Sequence, residues 1–215
     1  MQFLFVQTWD IIQGKEEEYT KYVLDTHTLA MELPGPRLVG AYYVEVGTGP
    51  RIVVISPTDD LSKLYGILTN REHLDDLLML RSLVCNYSTS VLEPLGALKK
   101  KEHTVQKGVW KMNLFYNVNP GTPKERAEAI VEEHLTLLKG LKHAEVTGGW
   151  SVILGGTSEY IVEMTFKDPT DIGRLLKDDE FRKITNKMRT EYITNYSSNI
   201  LRCTERFDDP KWFRL

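Results

Sequence analysis

The chain has 215 residues, 41% of them hydrophobic and 27% charged, which are the proportions of a globular fold and not of a disordered or membrane-spanning one. Its 27 basic and 30 acidic residues give a net charge of −3, and the basic ones form no long stripe, so no nucleic-acid partner is expected. No apolar stretch approaches the roughly 18 residues of a membrane span. Cys85 and Cys203 stand without a CxxC or a histidine at ligand spacing, so neither a disulfide framework nor a zinc site is expected.

Residues 2–10 alternate Phe3, Phe5, Gln7 and Trp9 with Leu4, Val6 and Thr8, the period of a strand; the start of the chain reads as that strand and not as a leader, which suits a cytoplasmic protein. After the Gln13-Gly14 turn the period lengthens. Tyr19, Tyr22, Val23, Thr26, Leu29, Ala30 and Leu33 mark a helix with Glu16, Glu17 and Glu18 in its first turn, and Pro34-Gly35-Pro36 stops it. Val39 to Val46 and Arg51 to Ser56 are strands of a hairpin turning at Gly47-Thr48-Gly49-Pro50. Asp59 or Asp60 can cap a second helix carrying Leu61, Leu64, Leu68, Leu74, Leu77 and Leu78, and residues 84–92 close the unit as a strand.

The same order then recurs: strand 108–118, helix 123–141, hairpin 149–166, helix 170–190, strand 192–203. Asn86-Tyr87-Ser88 returns as Asn195-Tyr196-Ser197 at an offset of 109, Gly40 as Gly148 at 108, and Gly14 and His27 as Gly121 and His134 at 107. A near-constant offset over four ordered landmarks argues for duplication and fusion. Repeats at 1–95 and 107–205 are therefore expected, with a linker at 96–106 containing Lys99-Lys100-Lys101 and a tail at 206–215.

Each repeat is a ferredoxin-like β-α-β-β-α-β unit, whose two helices cover one sheet face and leave the other bare. A bare face bearing aromatic and branched residues needs a partner. The predicted fold class is therefore α+β: two ferredoxin-like repeats whose antiparallel sheets pack face to face as a single-chain α+β barrel with the helices outside.

The strand leading into Gly14-Lys15-Glu16-Glu17-Glu18-Tyr19, and the segment Asp178-Asp179-Glu180-Phe181, resemble the dimeric α+β-barrel superfamily, which includes the NIPSNAP, EthD-like and antibiotic-biosynthesis-monooxygenase families. The resemblance spans nearly all of 1–205. It implies cofactor-free oxygenation, haem-assisted chemistry or lactone isomerisation as the activity classes, among which a fold alone does not choose.

Two histidines are the candidate catalytic groups. His27 shares a helix face with Val23 and Ala30, and His134 lies on the apolar face of Ala127, Ile130, Val131, Leu138 and Leu141. Either could act as acid, base, iron ligand or hydrogen-bond donor; the plainer reading is a core histidine satisfied by its neighbours. Candidate substrate-binding residues are Asn86 and Asn195 on the last strand of each repeat, with Trp9, Tyr116, Tyr42 and Trp150 as possible walls of a flat-ligand pocket, although large rings on strands are commonly core. The polar face of those last strands, Asn86-Ser88-Ser90 and Asn195-Ser197-Asn199, is expected at a solvent-washed sheet edge. His73 and His143 read as surface residues at helix ends, and His103 falls in the linker.

No GxGxxG after a strand, GxxxxGK[ST], GxSxG or HExxH occurs. The expected function is binding of a small apolar or aromatic ligand between helix one and the sheet in one or both repeats, as a cofactor-free oxygenase or isomerase, with no metal, no membrane partner and a possible homo-oligomer. The alternatives are a haem binder using His27 or His134, and a non-enzymatic assembly module.

Overall fold

The computed structural model describes residues 2–23, 40–96 and 109–203. His27, the expected tail and all but the first residue of the expected linker lie outside these residues. In order, the elements are β1 (Phe3–Ile11), α1 (Glu16–Tyr22), β2 (Gly40–Val46), β3 (Ile52–Thr58), α2 (Ser62–Thr69), α3 (Arg71–Leu83) and β4 (Val84–Pro94), then β5 (Trp110–Val118), α4 (Lys124–Lys139), β6 (Glu145–Gly155), β7 (Tyr160–Phe166), α5 (Thr170–Lys177), α6 (Asp179–Lys187), a π-turn (Met188–Tyr192) and β8 (Ile193–Cys203). The second helix of each repeat is broken in two. Asn70 and Asp178, at equivalent places, leave the helical region with ψ of 121° and 124°, and each side chain accepts a hydrogen bond from the next helix's first turn.

The eight strands form one antiparallel sheet closed as a barrel in the order β1-β3-β2-β8-β5-β7-β6-β4. Each repeat supplies a four-stranded arc, and the arcs join edge to edge at β2·β8 and β4·β6. The register repeats with the sequence offset: Trp9 opposes Ile52 and Tyr116 opposes Tyr160, while Thr8 opposes Ser88 and Phe115 opposes Ser197. Half a turn about the barrel axis therefore carries one repeat onto the other.

Closure corrects one expectation. β4 and β8 are not outermost edge strands, because each is hydrogen-bonded on both sides. The alternation of their residues therefore distinguishes the outside of the barrel from its lumen, not sheet from solvent.

Both faces of the sheet are buried, which explains why β1 carries apolar residues at odd and even positions alike. Outward residues meet the helices in two separate cores: Trp9, Tyr19, Val23, Val54 and Leu80 in the first repeat, and Leu114, Tyr116, Val131, Leu138, Met164 and Leu175 in the second. Inward residues make a third core at the barrel floor, where Leu4, Tyr42, Val44, Leu92, Trp150 and Leu201 converge.

Candidate ligand-binding site

Above that floor the lumen holds a cavity of about 350 Å³, bordered at the mouth by the β2–β3 hairpin (Thr48, Gly49, Pro50) and its counterpart between β6 and β7 (Gly156, Thr157, Ser158). Its walls come from pseudo-symmetric pairs: Val6 is matched by Asn113, Thr8 by Phe115, Ile55 by Glu163, Ser88 by Ser197, Ser90 by Asn199 and Leu92 by Leu201. The backbone repeats; the chemistry does not. The first repeat presents Leu4, Val6 and Ile55 where the second presents Lys111, Asn113 and Glu163.

Lys111 and Glu163 form an ion pair with Nζ and Oε2 2.9 Å apart, each side chain 6% exposed. The Thr147 hydroxyl donates to Glu163 Oε1 at 2.9 Å, and the Lys111 ammonium lies 4.4 Å from the centre of the Tyr42 ring, so both charges are held from several sides. Burial alone would pull the pKa of Lys111 down, but Glu163, with Tyr42 beside it, holds it above the ordinary lysine value. Burial pushes the Tyr42 hydroxyl up to about 12 against the pull of Lys111. The Asn113 Oδ1 on the same wall is buried and accepts no hydrogen bond among the described residues.

At the mouth, the Asn199 amide grips the first hairpin, its Oδ1 accepting from Thr48 N at 3.2 Å and its Nδ2 donating to Thr48 O at 3.1 Å. The Thr8 and Ser88 hydroxyls share a hydrogen bond at 2.8 Å. Further from the floor, Asn86 and Asn195 occupy the left-handed region at φ 54° and 53°, beside β-bulges at Thr8/Asp10 and Phe115/Asn117. Asn86 Nδ2 donates to Asp10 Oδ2 at 2.9 Å, and Asp10 Oδ1 accepts from Arg51 N. Asn86 is thus exposed and serves the bulge; it and Asn195 are absent from the cavity wall, which takes Ser88, Ser90, Ser197 and Asn199 from the same strands.

The other expected site residues divide between the two sides of the sheet. Trp150 borders the cavity and Tyr42 lies in the floor beneath it. Trp9 and Tyr116 face outward, where the Trp9 indole donates to Tyr19 Oη at 3.0 Å and Tyr116 Oη shares a hydrogen bond with His134 Nδ1 at 3.1 Å. His134 is 1% exposed and its Nε2 has no partner among the described residues; burial lowers its pKa to about 4, so the imidazole is neutral near pH 7. The described cavity lies on the opposite side of the sheet from the expected helix-one pocket, whose His134 is buried among the outward core. Lys111, Asn113 and Glu163 were missed by the sequence reading. Their signal was available as polar residues alternating with Met112, Leu114, Val162 and Met164 in buried strands, at positions where the first repeat has hydrocarbon.

A closed eight-stranded barrel made by two β-α-β-β-α-β units within one chain is the single-chain form of the dimeric α+β barrel. Solved structures share it. A candidate chlorite dismutase superposes with a TM-score of 0.67 at 12% identity, covering 100% of this chain and 99% of its own. A candidate monooxygenase from Fusobacterium nucleatum gives 0.65 at 14% identity over 94% and 92%, and a haem-binding protein from Thermus thermophilus gives 0.52 at 13% over 99% and 93%. At these identities the likeness establishes the fold alone. No protein-family model and no curated protein matches the sequence.

Haem is a group that such neighbours bring into question. The cavity wall carries no histidine, cysteine, methionine or tyrosine to ligate iron. The orphaned Nε2 of His134 is the right kind of atom, but the sealed ring leaves no room for a porphyrin. The described residues do not fit haem.

Proposed function

We propose that this protein binds a small, mostly apolar molecule in the lumen of the barrel. The observation that carries the reading is the lumen cavity of about 350 Å³, of ligand size, with mostly apolar walls and a few polar groups. Any turnover would take place there, away from His134. Cofactor-free oxygenation and isomerisation, the reaction classes implied by the resemblance, both require moving a proton at a substrate carbon; Glu163, the lumen carboxylate, would receive one only on release of Lys111 or Thr147 from its oxygens. Asn113 would polarise a neighbouring oxygen.

The test is titration with N-phenylnaphthylamine, a neutral probe whose emission rises in apolar surroundings. Saturable enhancement by the wild type, lost in Val53→Trp, is the expected result, because Val53 borders the cavity and an indole there fills it. Equal enhancement in both proteins would refute the lumen as the site. A non-enzymatic assembly module has no use for the cavity, and Val53→Trp would leave its assembly unchanged. The haem alternative, with His27 or His134 as the ligand, predicts a Soret shift on adding hemin; the burial of His134 speaks against that residue as the ligand.

A further inference from the structure

The lumen has an internal control for its own polarity. Leu4 and Ile55 show that hydrocarbon suffices at the places where the second repeat has Lys111 and Glu163, and Val6 shows the same for Asn113. Closing the barrel therefore does not require the polar wall. A buried ion pair is in general no more stabilising than well-packed hydrocarbon of the same volume, so stability does not account for it either. The remaining role is recognition.

Resting on the lumen reading above, we infer that the ligand is an uncharged, ring-bearing molecule with a hydroxyl group, oriented with its apolar body against the first repeat and its hydroxyl against Asn113. Each part follows from the wall. Asn113 lines the cavity and its Oδ1 has no donor among the described residues; that oxygen is itself sealed from the lumen, so a ligand meets the amide through its exposed edge, or through the oxygen once the amide turns. A hydroxyl donates to the amide oxygen and accepts from the amide nitrogen, so it satisfies Asn113 whichever way the amide is turned. An anionic head would meet Glu163, whose two oxygens are already taken by Lys111 and Thr147. A cationic head would find that carboxylate's charge already cancelled by Lys111 at 2.9 Å. Ionised ligands are thus excluded and a neutral donor selected. Trp150 and Phe115 offer ring faces for the apolar body.

Matched probes test the inference: naphthol, methoxynaphthalene and naphthoate, each displacing N-phenylnaphthylamine from wild type and from Asn113→Val. In the wild type naphthol is expected to bind about tenfold more tightly than the ether, as one satisfied buried hydrogen bond allows, with naphthoate weakest. Asn113→Val, which copies Val6 of the first repeat, brings naphthol and the ether to parity with the ether's affinity unchanged; Asn113→Thr, which keeps an acceptor oxygen, retains part of the preference. Equal binding of naphthol and ether by the wild type, or a preference that survives Asn113→Val, overturns the inference. If Val53→Trp abolishes binding of both while the hydroxyl confers no advantage, the lumen stands and only the hydroxyl assignment falls. If Val53→Trp changes neither, the lumen reading fails as well.

Discussion

Replacing His134 by glutamine isolates the cost of keeping an imidazole neutral in the second repeat's core. The ring is 1% exposed, no charge lies against it, and burial alone lowers its pKa from 6.5 to about 4. Above pH 6.5 the imidazole is neutral in both the folded and the unfolded chain, so it adds no pH dependence. As the pH falls through 6.5 the unfolded chain takes up a proton that the folded chain refuses until about pH 4, and stability falls through that window. The gap between 6.5 and about 4 corresponds to about 3 kcal/mol, the most the folded protein should lose. Carboxylates also titrate in this range, so the quantity to measure is the difference between wild type and His134→Gln. Urea denaturation at steps from neutral pH to about pH 4 should show the wild type losing up to about 3 kcal/mol more than the variant. Parallel curves would mean that the folded protein protonates His134 as readily as the unfolded chain does, and the sealed, neutral imidazole would be refuted.

Two further substitutions test the lumen and its mouth. Lys111→Met strands the Glu163 carboxylate and should destabilise the fold by about 3–5 kcal/mol, whereas the double variant Lys111→Leu with Glu163→Ile, which copies Leu4 and Ile55, should lie within about 1 kcal/mol of wild type. A double variant as unstable as the single one in urea denaturation would show that the pair is structural after all. Gly121 and Gly155 both have positive φ, 83° and 70°, but a Cβ at Gly121 meets nothing within 4 Å, whereas one at Gly155 would lie 2.2 Å from the Thr89 carbonyl oxygen. Gly121→Ala should cost about 1–2 kcal/mol from backbone conformation alone, and Gly155→Ala about 1–3 kcal/mol more, because β4 must shift; similar melting temperatures for the two would contradict the close approach of the hairpin to β4.

The sequence and the structure agree most closely where a residue's neighbours along the chain decide its fate. Alternation in β1, the acidic first turn of α1, and the recurrence of Gly14 and Asn86 at offsets of 107 and 109 mark elements whose order the structure repeats. Breaks within helices depend on a single capping side chain. Asp178 and Asn70 were legible as polar residues but not as interruptions, because the apolar spacing of Leu64, Leu74 and Leu77 runs on across the break. Edge or interior status of a strand depends on a partner more than fifty residues away. Ser88, Ser90, Ser197 and Asn199 have the polarity of an edge, and only the β2·β8 and β4·β6 pairings turn that face toward a cavity.

Similarity between the repeats was a guide to the fold and a poor guide to the site, for a physical reason. Positions that match across the two copies are those that any such unit needs: the turn glycines, the left-handed asparagines at the bulges, and the rings Trp9 and Tyr116 under the helices. A residue required by both copies is required by the architecture. A half-turn symmetric barrel would give its ligand two identical walls, and a molecule with one polar end can be held in a single orientation only if the walls differ. The informative positions are therefore those where the copies disagree within a shared register: Leu4 with Lys111, Val6 with Asn113, Ile55 with Glu163. Exchanging one wall for the other leaves hydrogen bonding around the barrel untouched, since every one of these residues contributes the same backbone groups to the same ladders. Fusion of the two units permits this, because each wall can change without imposing the same change on its mate.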